Sequence, residues 1–291
     1  MSTNQIVVIT GATNGLGQLV ASELAKQGAH LVLTARSKKK AEATERIIKN
    51  ITPKAEIDFF FGDLSLMKDV KRIGNEIKAS YPKIDLLVNN AGLHAFEQRI
   101  TSEGFPEMIA VNYFAPWLLT NILTESLIKC GNSRIVNIAS EASRNHGELK
   151  LPDDLTDVNT FTSRESSSLY GKTKLLNIMF TGALARKLAG TGVTVNALNP
   201  GFNVTGLGRE LWFASVLEHI LKFLHIGNPL RGADIIIRLA LEKQYEGVTG
   251  GYFNVGTGKP IIPVQPAGNI DIENKLWNYT KELLEEKDVQ D

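Results

Sequence analysis

The segment Gln5-Ile-Val-Val-Ile-Thr-Gly-Ala-Thr-Asn-Gly-Leu-Gly17 carries a short β-branched run into a glycine-rich turn, and a helical pattern follows from Leu16 to Gln27. Consecutive apolar residues with no polar alternation suit a strand buried on both faces, as in a parallel sheet. The turn spaces its glycines G-x-x-x-G-x-G, at Gly11, Gly15 and Gly17. Placed between a first strand and a first helix, such glycines let the backbone approach a pyrophosphate that the helix N-terminus then stabilises. Gly11, Thr13, Asn14, Gly15, Leu16 and Gly17 are therefore candidate dinucleotide contacts. A glycine cluster by itself also fits an ordinary tight turn, so the rest of the chain has to decide.

The alternation repeats. Strand-like runs at 30–34, 57–61, 84–88, 134–139, 193–198 and 252–255 are separated by helical patterns at 38–50, 66–80, 103–129, 168–189, 229–243 and 271–286. Gly28 closes the first helix, and Pro106 and Pro116 shape the start of the fourth. Strands alternating with helices predict the α/β class, here a single-domain Rossmann-type doubly wound parallel sheet with helices on both faces, spanning 1–291. Two stretches interrupt the pattern: a polar, irregular one at 144–167 and an apolar one at 202–226.

Of the 291 residues 43% are hydrophobic, enough for a sizeable core, and a formal charge of +1 carries no nucleic-acid footprint. The single cysteine, Cys130, forms no intrachain disulfide and fits a reducing compartment. The N-terminus shows no secretory pattern, and no apolar run approaches the roughly 18 residues of a membrane span. A cytoplasmic protein without a transmembrane segment is expected, and the sequons at Asn50, Asn203 and Asn278 read as chance matches. The five histidines lack metal-ligand spacing, so no metal is expected, and His94 reads as structural or solvent-facing.

The second strand ends in Thr34-Ala-Arg-Ser-Lys-Lys-Lys40. An NAD site usually carries a carboxylate there for the ribose hydroxyls. No acid stands in this stretch to repel a 2′-phosphate, and Arg36 and Lys40 could pair with one, which favours NADP(H) over NAD(H). The alternative is that Lys38 to Lys40 cover a solvated helix start. Further on, Tyr170 alone among six tyrosines has lysine at +4, Lys174. On a helix the two share a face, so an ammonium could favour the phenolate and make a usable proton donor or acceptor.

Taken in order, Thr10-Gly11-x-x-x-Gly15-x-Gly17, Asp63-Leu64, Asn89-Asn-Ala-Gly92, Asn112, Ser140, Tyr170-x-x-x-Lys174 and Pro200-Gly201 resemble the short-chain dehydrogenase/reductase family over residues 5–258. Val111-Asn112, Arg134-Ile-Val-Asn-Ile-Ala-Ser140, Tyr170-Gly-Lys-Thr-Lys-Leu-Leu-Asn177 and the separation of about thirty residues between Ser140 and Tyr170 resemble its retinol dehydrogenase, WW-domain oxidoreductase and protochlorophyllide reductase branch. The resemblance implies hydride transfer between nicotinamide and a carbonyl or alcohol. Tyr170 would give the proton, Lys174 would lower its pKa and hold the nicotinamide ribose, Ser140 would orient the carbonyl, and Asn112 would hold a water leading from Lys174. Asp63 and Leu64 would border the adenine, Asn89, Asn90, Ala91 and Gly92 the cofactor's centre, and Pro200, Gly201 and Thr205 its nicotinamide side.

Several features depart from the branch. Asn14 stands where many NADP-dependent relatives place a basic residue, and Tyr113 where retinol dehydrogenases tend to have histidine. Cys130 lies at a helix end, which argues against light-driven reduction. The apolar stripe within 202–226, including Leu211, Trp212, Phe213 and Leu217, suggests a lipophilic or bulky substrate under a lid, or else a stripe packed permanently on the core. The insertion 144–167 is expected to wall the pocket. Relatives commonly pair through helices equivalent to 103–129 and 168–189, so a homodimer or homotetramer is in view. The competing function class is a catalytically silent NADP(H)-binding sensor or scaffold.

Overall fold

The computed structural model describes residues 4–201 and 229–288. Seven strands, β1 (Ile6–Ile9), β2 (His30–Ala35), β3 (Ile57–Phe61), β4 (Leu86–Asn89), β5 (Arg134–Ile138), β6 (Thr194–Asn199) and β7 (Tyr252–Asn254), form one sheet. Their order is β3-β2-β1-β4-β5-β6-β7, and every pairing is parallel. The helices are α1 (Gly15–Lys26), α2 (Lys38–Ile51), α3 (Met67–Ser80), α4 (Ala115–Cys130), α5 (Ser163–Lys187), α6 (Pro229–Leu241) and α7 (Ile270–Asp288).

Successive strand residues point to opposite faces, which gives the chain two cores. Val7, Ile9, Leu31 and Leu33 pack with Val20 and Leu24 of α1, Ile48 of α2 and Ile235 and Leu239 of α6. Val8, Val32, Leu87 and Ile135 pack with Val70 and Ile73 of α3, Leu123 of α4, Leu175 and Met179 of α5 and Leu276 of α7. The chain leaves β1 toward the first face and β4 toward the second. Because β1 and β4 are neighbours, a crevice opens beyond their carboxyl ends.

Two local readings needed correction. The expected helix 103–129 is a short turn, Glu107–Ile109, a π-helical turn, Ala110–Phe114, and only then α4. Pro116 occupies the first turn of α4 and has no N–H to give Asn112 O, so the helix cannot run through unbroken. The helix carrying Tyr170 begins at Ser163, inside the stretch read as irregular. Thr162 and Glu165 form a capping box there: Thr162 N donates to Glu165 Oε2 at 2.7 Å, and Glu165 N to Thr162 Oγ1 at 3.4 Å.

The sheet edge at β7 is closed by the chain itself, since Asn254 N donates to Lys259 O and Ile261 N to Tyr252 O. Helix α7 lies across α4 and α5. Trp277 packs its ring 5.2 Å from Trp117 and 5.9 Å from Phe180, and the Tyr113 and Thr280 hydroxyls are 2.8 Å apart. No helix of the described residues is long and apolar enough to cross a membrane. Trp277→Ala should destabilise the fold by about 3 kcal/mol, as large-to-small changes in cores do. Urea unfolding measures this, and a loss below about 1 kcal/mol would show that α7 is not docked through that ring.

Candidate active site

Beyond the carboxyl ends of β1 and β4 lies a cleft of about 610 Å³. Its first wall is the turn after β1. Thr10 Oγ1 accepts from Asn90 N and Ala91 N, both at 3.0 Å, and Asn90 Nδ2 donates to Thr10 O at 2.9 Å and Gly11 O at 3.2 Å. The two loops are thereby stitched together. A Cβ at Gly17 would lie 2.5 Å from Asn90 Nδ2 and 2.6 Å from Gly11 O, so only glycine lets the helix start this close. The Asn14 side chain makes no capping hydrogen bond, and the first turn of α1 holds no acid. The leading N–H groups of α1 therefore point their partial positive charge at the cleft, a ready site for a phosphate.

At one end Arg36 Nη1 stands 3.6 Å from Asp63 Oδ2, with both side chains substantially exposed. Lys40 and Leu64 line the same end, and Ser37 caps α2 by accepting from Lys40 N at 3.4 Å. Asp63 is held from behind, since its N–H donates to Asp69 Oδ2 at 2.7 Å. That bond, with Arg72 beside it, keeps the Asp69 carboxyl below its usual range.

At the other end Tyr170 and Lys174 present themselves one turn apart on α5. Lys174 is buried, donates to Ile138 O at 2.9 Å and lies 5.5 Å from the Tyr170 ring centroid. Burial pulls its ammonium down to about 8. Burial also pushes the Tyr170 phenol above its ordinary value, opposite to the lowering expected from the lysine. Desolvation is what shifts the phenol, and the Lys174 ammonium spends one hydrogen bond on Ile138 O.

Ser140 starts a 3₁₀ turn, Glu141–Asn145, and its Oγ accepts from Ala142 N at 3.1 Å while lining the cleft. That turn rests directly on α5: a Cβ at Gly171 would collide with Ala142 O. Asn112 sits behind the cleft, fully buried. Its side chain bonds Leu93 N and O, both at 2.8 Å, and Thr173 Oγ1 at 3.0 Å. The Asn112 carbonyl accepts from Asn177 Nδ2 at 2.9 Å.

The short chain dehydrogenase family model matches residues 5–151. Mouse (Mus musculus) retinol dehydrogenase 14 is 32% identical over 291 residues, covering 96% of this chain and 85% of its own. The chloroplastic short-chain dehydrogenase TIC 32 B of Brassica napus is 30% identical over 289 residues, covering 96% and 88%. An NAD(P)-dependent gluconate 5-dehydrogenase, so described, from Beutenbergia cavernae was solved with bound NADP. It superimposes with a TM-score of 0.66 at 25% identity, covering 87% of this chain and 95% of that one. The chain belongs to the short-chain dehydrogenase family. Within it the chain falls in the retinol dehydrogenase-like branch, and it is a hydride-transferring oxidoreductase that uses a nicotinamide cofactor.

The residues present fit such a cofactor, with an uncapped helix N-terminus, a glycine turn that lets α1 start close to the loop after β4, and cationic groups at the far end. For this short-chain dehydrogenase, Gly11, Thr13, Asn14, Gly15, Leu16, Arg36, Lys40, Asp63, Leu64, Asn90, Ala91, Gly92, Ser140, Tyr170, Lys174, Pro200 and Gly201 all line the one cleft. Gly17 and Asn112 support it from behind. Asn89 turns away, bonding Thr120 Oγ1 at 2.9 Å and Asn137 Oδ1 at 2.8 Å. Thr205 and the apolar segment 202–226 lie outside the described residues.

Segment 144–167 supplies none of the cleft's lining residues. Leu155 is buried and Asp154 pairs with Lys172 at 2.6 Å, so the segment is drawn onto α5 instead. His94, read as structural or solvent-facing, lines the cleft. Arg99 and Glu107, paired at 2.6 Å, line it as well, and no motif marked them. Asn177 was visible only as the end of a matching stretch, although Pro116 four residues after Asn112 signals a carbonyl in need of a donor.

The lowered Lys174 pKa has a stability consequence. The unfolded chain holds this proton up to about pH 10.5, whereas the folded chain releases it above about 8. Between those values the unfolded state binds more protons, so folding stability rises with pH. Relative to Lys174→Met, the wild type should gain about 2 kcal/mol from pH 7.5 to 10. Paired denaturant titrations at the two pH values measure the gain, and parallel curves would show an unshifted lysine.

Proposed function

We propose that this short-chain dehydrogenase is an NADP(H)-dependent carbonyl reductase, or alcohol dehydrogenase in reverse, acting on a lipophilic or bulky substrate with Tyr170 as general acid and base. The observation that carries the reading is the convergence of Ser140, Tyr170 and Lys174 on the cleft that also holds the uncapped start of α1. The bound nicotinamide supplies the hydride to the carbonyl carbon. Negative charge then builds on the carbonyl oxygen, which needs a donor and a proton. Tyr170, like any phenol, carries its proton at neutral pH, the form a donor to a carbonyl requires, and burial pushes its pKa further up. Lys174, still charged at neutral pH, compensates the phenolate that proton transfer leaves behind. Ser140 Oγ, held by Ala142 N, keeps its own hydrogen to direct at the carbonyl oxygen.

The preference for the 2′-phosphate rests on Arg36 and Lys40. Arg36 now faces Asp63, and an exposed pair at 3.6 Å is worth little, so a phosphate can take the guanidinium from it. The lipophilic character of the substrate rests on the apolar composition of 202–226 and on the retinol dehydrogenase relatives.

Tyr170→Phe should retain NADPH binding by fluorescence titration and lose turnover by about a thousandfold or more across a panel of aldehydes and ketones, retinal included. Wild-type activity in that variant would end the mechanism. NADPH binding with no turnover by the wild type would favour the silent sensor. Arg36→Leu should weaken NADPH binding roughly ten- to a hundredfold with little effect on NADH, the span of a hydrogen bond to a charged group. Equal losses for both cofactors would remove Arg36 from the discrimination.

A further inference from the structure

The ring that lies against Tyr170 belongs to a residue outside the proposed machinery. His94 sits on the chain after β4, and its ring centroid is 4.7 Å from that of Tyr170 with the planes 21° apart. Phe96 packs on the same imidazole at 4.5 Å. His94 Nε2 lies 2.7 Å from Ser166 Oγ, which is itself 2.8 Å from Ala95 O. A carbonyl can only accept, so the one Ser166 proton goes to Ala95 O and Nε2–H donates to the serine. This arrangement satisfies all three atoms and places a hydrogen on Nε2. Ser166 is fully buried. It stands four residues before Tyr170, hence on the same face of α5. One helix face therefore grips a single imidazole twice, Ser166 by its edge and Tyr170 by its plane.

We infer that His94 is a positioning residue for the Tyr170 phenol, an inference that rests on Tyr170 being the proton donor proposed above. The tyrosine hydroxyl lies on its ring axis, so rotation of the ring plane leaves it in place, whereas a swing about χ1 carries it away. A second ring pressed on the face blocks that swing. The tether through Ser166 to the Ala95 carbonyl keeps the second ring from moving along with the first. Proton transfer is sensitive to such placement, since a displacement of about 1 Å can cost about a hundredfold in rate.

The test compares His94→Ala, which removes ring and tether, with His94→Phe, which keeps a ring and loses only the tether. Both are made in full-length protein labelled with 3-fluorotyrosine, and the Tyr170 resonance is assigned by its loss in Tyr170→Phe. His94→Ala should move the Tyr170 fluorine resonance toward its free position. It should also lower kcat roughly ten- to a hundredfold on the best carbonyl of the panel. NADPH affinity by fluorescence titration should stay within about twofold of wild type, because the cradle at α1 is untouched. His94→Phe should restore kcat to within about threefold of wild type. The inference is overturned by wild-type kcat in His94→Ala, or by His94→Phe being as slow as His94→Ala. Tyr170→Phe running at the wild-type rate would instead sink the proton-donor reading. The fluorine resonance needs no substrate, and an unmoved line in His94→Ala would by itself refute the stack.

Discussion

Asn112 offers a carbonyl that Pro116, four residues on, has no N–H to meet, and Asn177 Nδ2 reaches across from α5 to take it at 2.9 Å. A buried carbonyl left unpaired costs about 1–3 kcal/mol, so this contact is a condition of the fold. It also sets the site. The break lets the Asn112 side chain turn to Leu93, which fixes the loop after Gly92, and to Thr173, which lies between Tyr170 and Lys174 on α5. Behind it the polar ladder continues through Asn89, Thr120, Asn137 and Thr181, so β4, β5, α4 and α5 move as one body. The registry between the loop after β4 and the Tyr170–Lys174 face of α5 follows from these amide bonds.

The sheet was legible because its signals are local. Val7 to Ile9 and Leu31 to Leu33 are apolar runs buried on both faces, and the glycine turn marks which end of the sheet carries the cleft. Tyr170 and Lys174 were legible because helix geometry alone places them together. What escaped reading depends on partners distant in sequence. His94 is one histidine in a loop until Ser166, seventy-two residues later, meets its Nε2. In 144–167 the polar composition hides Leu155 and the Asp154–Lys172 pair, which draw the segment onto α5. The capping box at Thr162 and Glu165 was local and could have been read, and it would have moved the start of α5 forward.

Burial acts on the two titrating groups in complementary ways. It pushes Tyr170 up and Lys174 down, so each group's neutral form is favoured over its charged form. Lys174 in turn carries a charge that costs little to give up. It sits against Gly92, where an added Cβ would lie 3.5 Å from Nζ and 3.4 Å from Asn112 Oδ1. A charge held that near the cofactor loop and the phenol responds to whatever enters the cleft, because low local dielectric strengthens every new pairing. The same desolvation that opposes phenolate formation therefore amplifies the stabilisation Lys174 offers once it forms.

The far end of the cleft works under the opposite condition. Arg36 is two-thirds exposed, and its partner Asp63 stands at 3.6 Å in solvent, so the pair is screened and contributes little to stability. Asp63 itself is anchored through its N–H to Asp69 and through Oδ1 to Ser65 N. Arg36 has no such anchor in the hydrogen-bond pattern of its strand end and can exchange one anion for another at small cost. The far end of the cleft thus pairs an exposed cation with an anchored carboxylate, while its other end holds Lys174 buried on α5. The Asn112–Asn177 contact at the other end is buried, so the solvent-screened Arg36–Asp63 pair sits where the fold depends on it least.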